Sequence, residues 1–173
     1  MPTARVNGVE LHYEETGSGT PLVWCHEFGC DCRSWEPQVR YFCRRHRVVT
    51  WNYRGYPPSE VPTDPAAYSV EHCVADLAAL MRHLGIPRAH VGGLSMGGGV
   101  ALNFGIRHPD MALSLIIAAA GSGTVDRARF LEEAEQQARL YEARGGEAKA
   151  EHFAGLATRR GFADKDPRGW ARR

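Results

Sequence analysis

Short apolar segments typical of buried β-strands alternate with segments of helical periodicity between residues 20 and 119. The apolar segments are Pro21–Cys25, Val48–Trp51, Ala89–Leu94 and Leu113–Ala119. The helical pattern is clearest after the second of them, where apolar residues recur three or four positions apart: Val70, Val74, Leu77, Met81 and Leu84. Because strands that alternate with helices form parallel sheets, the pattern predicts an α/β fold, a mostly parallel sheet with helices on both faces.

Turns and helix ends carry local signals as well. Asn7-Gly8, followed by alternating apolar residues, predicts a tight hairpin between two antiparallel strands at the start of the fold. Ser34 and Ser69 each precede a helical pattern and are predicted to be N-caps. Met96–Arg107 is predicted to be a helix that begins directly after a buried strand.

The charge balance and the apolar runs argue against two classes of partner. The 173 residues include 21 basic and 20 acidic side chains, so the formal net charge of +1 provides no basic surface for nucleic acid. The longest nearly apolar run, residues 112–120, is about half the roughly 20 residues of a membrane-spanning helix, and the first residues lack the apolar region of a secretion signal. We therefore expect a cytoplasmic protein that binds neither nucleic acid nor membranes.

The five cysteines, at positions 25, 30, 32, 43 and 73, show no spacing typical of a disulfide scaffold, so reduced thiols are expected. Cys25, His26, Cys30 and Cys32 are metal-ligating residue types that lie close together in sequence. A second pair of ligands at zinc spacing does not occur elsewhere in the sequence. We therefore predict no metal site and no other cofactor.

The segment Gly93-Leu94-Ser95-Met96-Gly97 matches the pattern Gly-x-Ser-x-Gly between a predicted strand and a predicted helix. In this setting a serine lies on a strained turn, and the glycines let neighbouring backbone pass close by. The dipole and free N–H groups at the start of the helix suit an anionic tetrahedral intermediate. Ser95 is therefore the predicted nucleophile, with Gly93 and Gly97 as supporting residues, and a purely structural glycine-rich turn is the alternative.

A second motif, Cys25-His26-Glu27-Phe28-Gly29, comes directly after a predicted strand. A backbone N–H of this loop can face the turn at Ser95, so the N–H groups of Phe28 and Met96 are the predicted oxyanion hole. With these motifs the sequence resembles the α/β-hydrolase superfamily, whose usual loop pattern is His-Gly-x-Gly, and Glu27 stands in place of the first glycine. The resemblance implies that His26 braces the oxyanion loop by hydrogen bonding rather than by acid–base work.

The resemblance extends beyond the two motifs. The sequence is similar to a subgroup with His-Glu-Phe or His-Glu-Tyr in the oxyanion loop, which also has segments similar to residues 34–40 and 53–59. It implies an α/β-hydrolase core over residues 1–124 and the helical start of a cap, incomplete, over residues 125–173. A member of full length would continue through two more strands, which supply a catalytic Asp and then a catalytic His.

The residues after the predicted nucleophile offer few candidates for those two roles. His108 is expected at the far end of the helix that begins after Ser95, roughly 20 Å away at 1.5 Å per residue. His152 falls in the predicted cap segment, where we expect a partly exposed helix residue. Asp126 is expected to be the N-cap residue of a helix. We therefore expect the catalytic acid and the catalytic His to be absent from this sequence, as in a fragment of a longer enzyme.

These observations predict a serine hydrolase that acts on a small molecule with an ester-like or related carbonyl group. Peroxide-dependent halogenation, as in non-haem haloperoxidases, and hydrolysis of C–C bonds stay open, because the resemblance implies that both use the same turn. A non-catalytic pseudoenzyme or binding module is the alternative from another class. The aspartate nucleophile of dehalogenases and epoxide hydrolases is excluded by Ser95.

The apolar strand Leu113–Ala119 raises a question of association. In the superfamily that the sequence resembles, further strands follow it, and without them it becomes an edge of the sheet. An edge strand leaves backbone N–H and C=O groups unpaired and apolar side chains uncovered. The segment contains no charge and no proline, which are the residues that usually protect such an edge. We expect self-association through this edge, or complementation by another polypeptide.

Overall fold

Residues 1–121, 126–155 and 164–165 are described by the structure, which is a computed structural model. The chain divides into two compact units, residues 1–122 and residues 123–173. The first unit contains a six-stranded sheet and three α-helices, and the described part of the second is dominated by one long helix.

The six strands of the first unit form one sheet in the order β1-β2-β4-β3-β5-β6. Their bounds are β1 Thr3–Val6, β2 Val9–Thr16, β3 Thr20–Cys25, β4 His46–Trp51, β5 Ala89–Leu94 and β6 Ala112–Ala118. β2 pairs antiparallel with β1 and β4, whereas the pairs β3–β4, β3–β5 and β5–β6 are parallel. The α-helices are α1 Glu36–Phe42, α2 Val70–His83, α3 Met96–Arg107 and, in the second unit, α4 Arg127–Gly155.

Helices cover both faces of the sheet because successive strand residues point to opposite sides. On one face, Val23 and Cys25 of β3 belong to the larger core cluster, together with apolar residues of α2 and α3. On the other face, Leu22 and Trp24 pack with Trp35 and with the apolar side of α1. The predicted α/β architecture, mostly parallel with helices on both faces, is confirmed.

The first hairpin turns at Asn7-Gly8, with Val6 and Val9 paired across it. Asn7 has φ 46° and Gly8 has φ 79°, so both central residues are in the left-handed region. Two-residue turns of this kind match the twist of the flanking strands and favour Asn-Gly, as the sequence predicted.

One of the two predicted helix caps is wrong. Ser69 caps α2, because its hydroxyl accepts the N–H of His72 at 3.1 Å. Ser34 caps no helix, since a short 3₁₀-helix, Cys32–Trp35, precedes α1 and has Asp31 as its cap. The hydroxyl of Ser34 instead donates to the carbonyl oxygen of Asp31 at 2.9 Å.

In the second unit, α4 begins after Asp126, whose carboxylate accepts the N–H of Arg129 at 3.1 Å. Asp126 therefore caps the helix, as the sequence indicated. A kink at Gly145, with φ 70° and ψ −161°, interrupts the helix. Among the described residues, no helix combines the length and the apolar character that a membrane span requires. The predicted cap segment 125–173 is described only for residues 126–155 and 164–165.

Candidate active site

Ser95 lies alone on the turn between β5 and α3, with its side chain exposed to solvent. Its backbone has φ 53° and ψ −115°, a conformation that costs a residue other than glycine about 1–3 kcal/mol. The Ser95 N–H donates to the carbonyl oxygen of Ala118 at 2.9 Å, so the turn is bonded to the end of the neighbouring strand β6. The surrounding backbone therefore holds the hydroxyl on a sharp, exposed corner, as the motif predicted.

The two glycines of the motif are required by close backbone contacts. A Cβ at Gly93 would collide with the backbone of Gly97 and would lie 2.6 Å from the nitrogen of Gly98. A Cβ at Gly97 would collide with the carbonyl of Cys25 and would lie 2.7 Å from the carbonyl oxygen of His26. The first turn of α3 is thus packed directly against the loop that follows β3.

The predicted oxyanion donors, Phe28 and Met96, belong to these two adjoining segments. β3 and β5 are parallel neighbours, with Cys25 paired to Gly93, so their carboxyl ends meet at one edge of the sheet. Phe28 lies three residues beyond the end of β3 and Met96 begins α3. The fold therefore brings the loop carrying Phe28, the residue Met96 and the turn at Ser95 to one place.

His26 is fully buried beneath this edge. Its Nδ1 lies 2.8 Å from the carbonyl oxygen of Glu27, and because a carbonyl only accepts, Nδ1 is the protonated nitrogen. Two aromatic rings pack on the imidazole, with centroid distances of 4.5 Å to Tyr53 and 4.8 Å to Tyr56. The contacts of His26 fit the bracing role that the resemblance implied.

Sequence reasoning missed Tyr53 and Tyr56 as part of this region. The Gly29 N–H donates to the Tyr56 hydroxyl at 3.5 Å, so the loop after β4 supports the loop after β3. Burial raises the pKa of Tyr56 to about 12 and also raises that of Tyr53, so both phenols stay protonated. The signal that could have found them is the segment 53–59, which the resemblance marked without assigning a role to any of its residues.

The structure also shows how the loop accommodates Glu27 in place of a glycine. A positive φ, 80°, occurs in this loop at Gly29, not at position 27, so a side chain at position 27 causes no backbone strain. The Ser34 hydroxyl shares its single proton between the Asp31 carbonyl oxygen at 2.9 Å and the Glu27 carboxylate at 3.1 Å. Glu27 therefore contributes a contact within the loop that glycine would lack.

The thiols of Cys25, which is buried, and Cys73, which is half-buried, are poor competitors for a nucleophilic role. Burial raises the pKa of Cys25 to about 12, and that of Cys73 to about 11. Because the thiolate is the reactive form, both groups are inert near neutral pH. Ser95 remains the best placed of these groups for nucleophilic attack.

Two histidines, His108 and His152, follow Ser95 in sequence. His108 ends α3, and a helix of 12 residues separates it from Ser95 by about 18 Å. His152 belongs to the second unit, where its ring centroid is 6.3 Å from that of Tyr141. His108 therefore lies too far along α3 to act on Ser95.

Comparison with known proteins adds independent information. A sequence model described as the alpha/beta hydrolase fold matches residues 20–165. The putative carbamate hydrolase RutD of Caulobacter segnis is 30% identical over 119 residues, which are 68% of this chain and 45% of that protein. The putative non-heme bromoperoxidase BpoC of Mycobacterium tuberculosis is 34% identical over 137 residues, which are 78% of this chain and 50% of that protein. Epoxide hydrolases of Siraitia grosvenorii and Xenopus tropicalis are also among the relatives.

Among solved structures, the enol-lactonase from Burkholderia xenovorans LB400 superimposes with a TM-score of 0.81 at 30% identity. The match covers 98% of this chain and 65% of the lactonase. The chain spans half or less of the length of the curated relatives named above.

Proposed function

Because the chain belongs to the alpha/beta hydrolase fold family, we propose that it carries the nucleophile and the oxyanion donors of a serine hydrolase. The observation that supports this most directly is the exposed Ser95 at a positive-φ turn between a buried strand and a helix. The substrate class we propose is a small molecule with an ester-like or related carbonyl group.

In this proposal the Ser95 Oγ adds to the substrate carbonyl carbon, and the carbonyl oxygen takes up the negative charge. The backbone N–H groups of Phe28 and Met96 donate to that oxygen, and the start of α3 adds its positive dipole. Donors that are held in place by the packing of Gly97 against the loop after β3 need no rearrangement during the reaction. One such donor is typically worth about 10²–10³-fold in rate.

The proton of the Ser95 hydroxyl must pass to a base during the attack. The resemblance puts a catalytic histidine and its acid in the strands that follow the cap in enzymes of this kind. In an experiment on this chain, added imidazole can serve as the proton acceptor.

The chemistry at position 95 favours one class of substrate over the others suggested by similarity. Relatives and neighbours are named for carbamates, a lactone, epoxides and halogenation. A serine adds readily to a carbonyl, whereas the resemblance assigns epoxide opening to an aspartate. Peroxide-dependent halogenation is the second candidate, favoured by the bromoperoxidase relative, which matches more of this chain than the carbamate hydrolase does.

We expect the protein to work in the cytoplasm on a small molecule rather than on nucleic acid or membranes. All five cysteines are free thiols, which fits a reducing compartment. The net charge of +1 adds no electrostatic attraction for a polyanion.

The test is covalent labelling of the 173-residue chain with a fluorophosphonate probe in the presence of imidazole, followed by peptide mapping. We expect the adduct on Ser95 and its loss in Ser95→Ala. Ser34→Ala is the matched control, because Ser34 lies near the same loop and its hydroxyl bonds to Glu27. That variant should label as the unaltered chain does.

Adduct on another serine, or equal labelling of Ser95→Ala, would contradict the assignment. Absence of any adduct would favour a binding module without catalysis. A panel of lactones and activated esters then distinguishes ester chemistry from halogenation, which would instead require peroxide and bromide.

A further inference from the structure

His12, Glu14 and Cys32 form a cluster of metal-ligating side chains that the proposed function does not use. One donor atom from each of the three lies within 4.8 Å of the other two. His12 and Glu14 alternate along β2 and therefore point to the same face, while Cys32 begins the 3₁₀-helix before α1. Among the described residues, this is the group of three such side chains close enough to share an ion, and Cys25, His26 and Cys30 are not members of it.

The imidazole of His12 is oriented for binding a cation. Its Nδ1 lies 3.2 Å from the carbonyl oxygen of Pro2, which only accepts, so Nδ1 carries the proton. In the neutral imidazole Nε2 then has a free lone pair, and it lies 3.6 Å from Oε1 of Glu14. A carbonyl that fixes the tautomer in this way is the usual outer partner of a metal-bound histidine.

With a neutral imidazole, Nε2 and the Glu14 carboxylate oxygen are two facing acceptors, and a proton or a metal ion between them would bridge them. In a tetrahedral zinc site with bonds of about 2.0–2.3 Å, neighbouring ligand atoms are about 3.3–3.7 Å apart. The separation of 3.6 Å between Nε2 and the carboxylate matches this spacing. The Cys32 sulfur lies within 4.8 Å of a donor atom of each of these two side chains.

The backbone that carries the ligands is tightly held. Asn52 accepts the Cys32 N–H at 2.8 Å and donates its own N–H to the His12 carbonyl oxygen at 3.0 Å. The His12 N–H donates to the Ser59 hydroxyl at 2.9 Å. His12 and Cys32 are 2% and 4% exposed, whereas the Glu14 side chain is 54% exposed and opens the cluster to solvent.

We infer that His12, Glu14 and Cys32 bind one divalent cation of borderline softness, Zn²⁺ being the best fit, with water as the fourth ligand. Imidazole, thiolate and carboxylate together select zinc over magnesium or calcium. On binding, the sulfur–metal bond forms and the thiol proton passes to buffer. The ion would clamp β2 to the segment that follows the oxyanion loop, and this role does not depend on Ser95 chemistry.

The test is titration of the metal-stripped, reduced 173-residue chain with Co²⁺, followed by competition with Zn²⁺. We expect one equivalent of Co²⁺ to give a thiolate-to-cobalt charge-transfer band that Zn²⁺ abolishes. Cys32→Ser should remove the band, and Cys43→Ser, which alters a half-buried thiol elsewhere, should keep it. Zn²⁺ should also raise the urea midpoint of the unaltered chain but not that of Cys32→Ser.

A second pair of variants tests the same site independently, in case Cys32→Ser folds poorly. Glu14→Gln should weaken Co²⁺ binding at least 10-fold, because it removes a ligand charge at an exposed position. Glu15→Gln makes the same change on the opposite face of β2, where Glu15 pairs with Arg47, and should leave the affinity unchanged. Absence of the band, its survival in Cys32→Ser, or equal effects of the two glutamate variants would overturn the inference and leave a simple contact between His12 and Glu14.

Discussion

The buried ion pair between Arg54 and Asp76 leads to a stability prediction that can be worked out from its geometry. The guanidinium donates from Nε and Nη2 to the two carboxylate oxygens, each at 2.7 Å, and the side chains are 5% and 1% exposed. The same carboxylate accepts a hydrogen bond from Asn7 Nδ2 at 3.0 Å. Asp76 therefore holds both the loop after β4 and the first hairpin turn against α2.

We expect Asp76→Ala to lower the free energy of unfolding by about 3–5 kcal/mol, because it leaves a buried charge without its partner. The hydrogen bonds with Asp76 raise the pKa of Arg54, and an arginine stays charged even without such bonds. In Asp76→Ala the Arg54 guanidinium therefore stays charged and lacks its partner. Glu36→Ala is the control, since Glu36 pairs with Arg40 on α1 where the side chains are 58% and 80% exposed. An exposed pair of that kind contributes about 0.3–0.5 kcal/mol.

Urea unfolding followed by circular dichroism measures both variants. With a slope of about 1–3 kcal/mol per molar urea, Asp76→Ala should lower the midpoint by at least about 1 M, and Glu36→Ala by less than about 0.5 M. The double variant Arg54→Met with Asp76→Leu removes both charges at similar volume and should regain most of the loss. A loss below about 1 kcal/mol for Asp76→Ala, or a double variant no more stable than the single one, would refute the reasoning.

Two further predictions concern association and pH. The strand β6 lies at the edge of the sheet, and its side chains Leu113, Ile116 and Ile117 are 39%, 41% and 42% exposed. Sedimentation at micromolar concentration should therefore show self-association of the chain, and Ile116→Lys should reduce it. A monomeric unaltered chain would contradict this prediction. Stability should fall above about pH 9, because burial raises the pKa of Cys25 from 9.0 to about 12 and the folded chain then keeps a proton that the unfolded chain releases. The decline is at most about 1.4 kcal/mol per pH unit for one thiol and is complete near the folded-state pKa. Urea unfolding at pH 8 and 10.5 should show a smaller decline for Cys25→Ala, and an unchanged decline would exclude Cys25 as the cause.

Features that depend on neighbouring residues in the sequence could be predicted well. Asn7-Gly8 forms the turn that this pair of residues favours. The observed bounds of β5, Ala89–Leu94, and of α3, Met96–Arg107, agree with the sequence pattern, in which the buried strand ends and the helix begins on either side of Ser95. The loop predicted to hold the oxyanion donors could be placed beside Ser95 because parallel pairing brings the ends of β3 and β5 together. The roles of Phe28 and Met96 stay predictions.

Features that depend on distant residues could not be predicted in this way. The cluster of His12, Glu14 and Cys32 exists because β2 pairs with β4 and Asn52, just after β4, bonds to both ligand-bearing segments. The spacing of His12, Glu14 and Cys32 along the sequence does not indicate that the three side chains lie close together. Ser34 shows a local failure of a different kind, since Asp31 caps a 3₁₀-helix before the expected α-helix begins.

The backbone conformation at Ser95 sets a limit on how this scaffold can be engineered for heat resistance. Glycine adopts φ 53° and ψ −115° without the steric cost of a Cβ, so a glycine at this position would release about 1–3 kcal/mol of strain. The same exchange deletes the hydroxyl on which the proposed chemistry depends. Under the proposed function, thermostability and reactivity are opposed at one residue, and a screen that selects for melting temperature alone would favour variants that lose the proposed nucleophile.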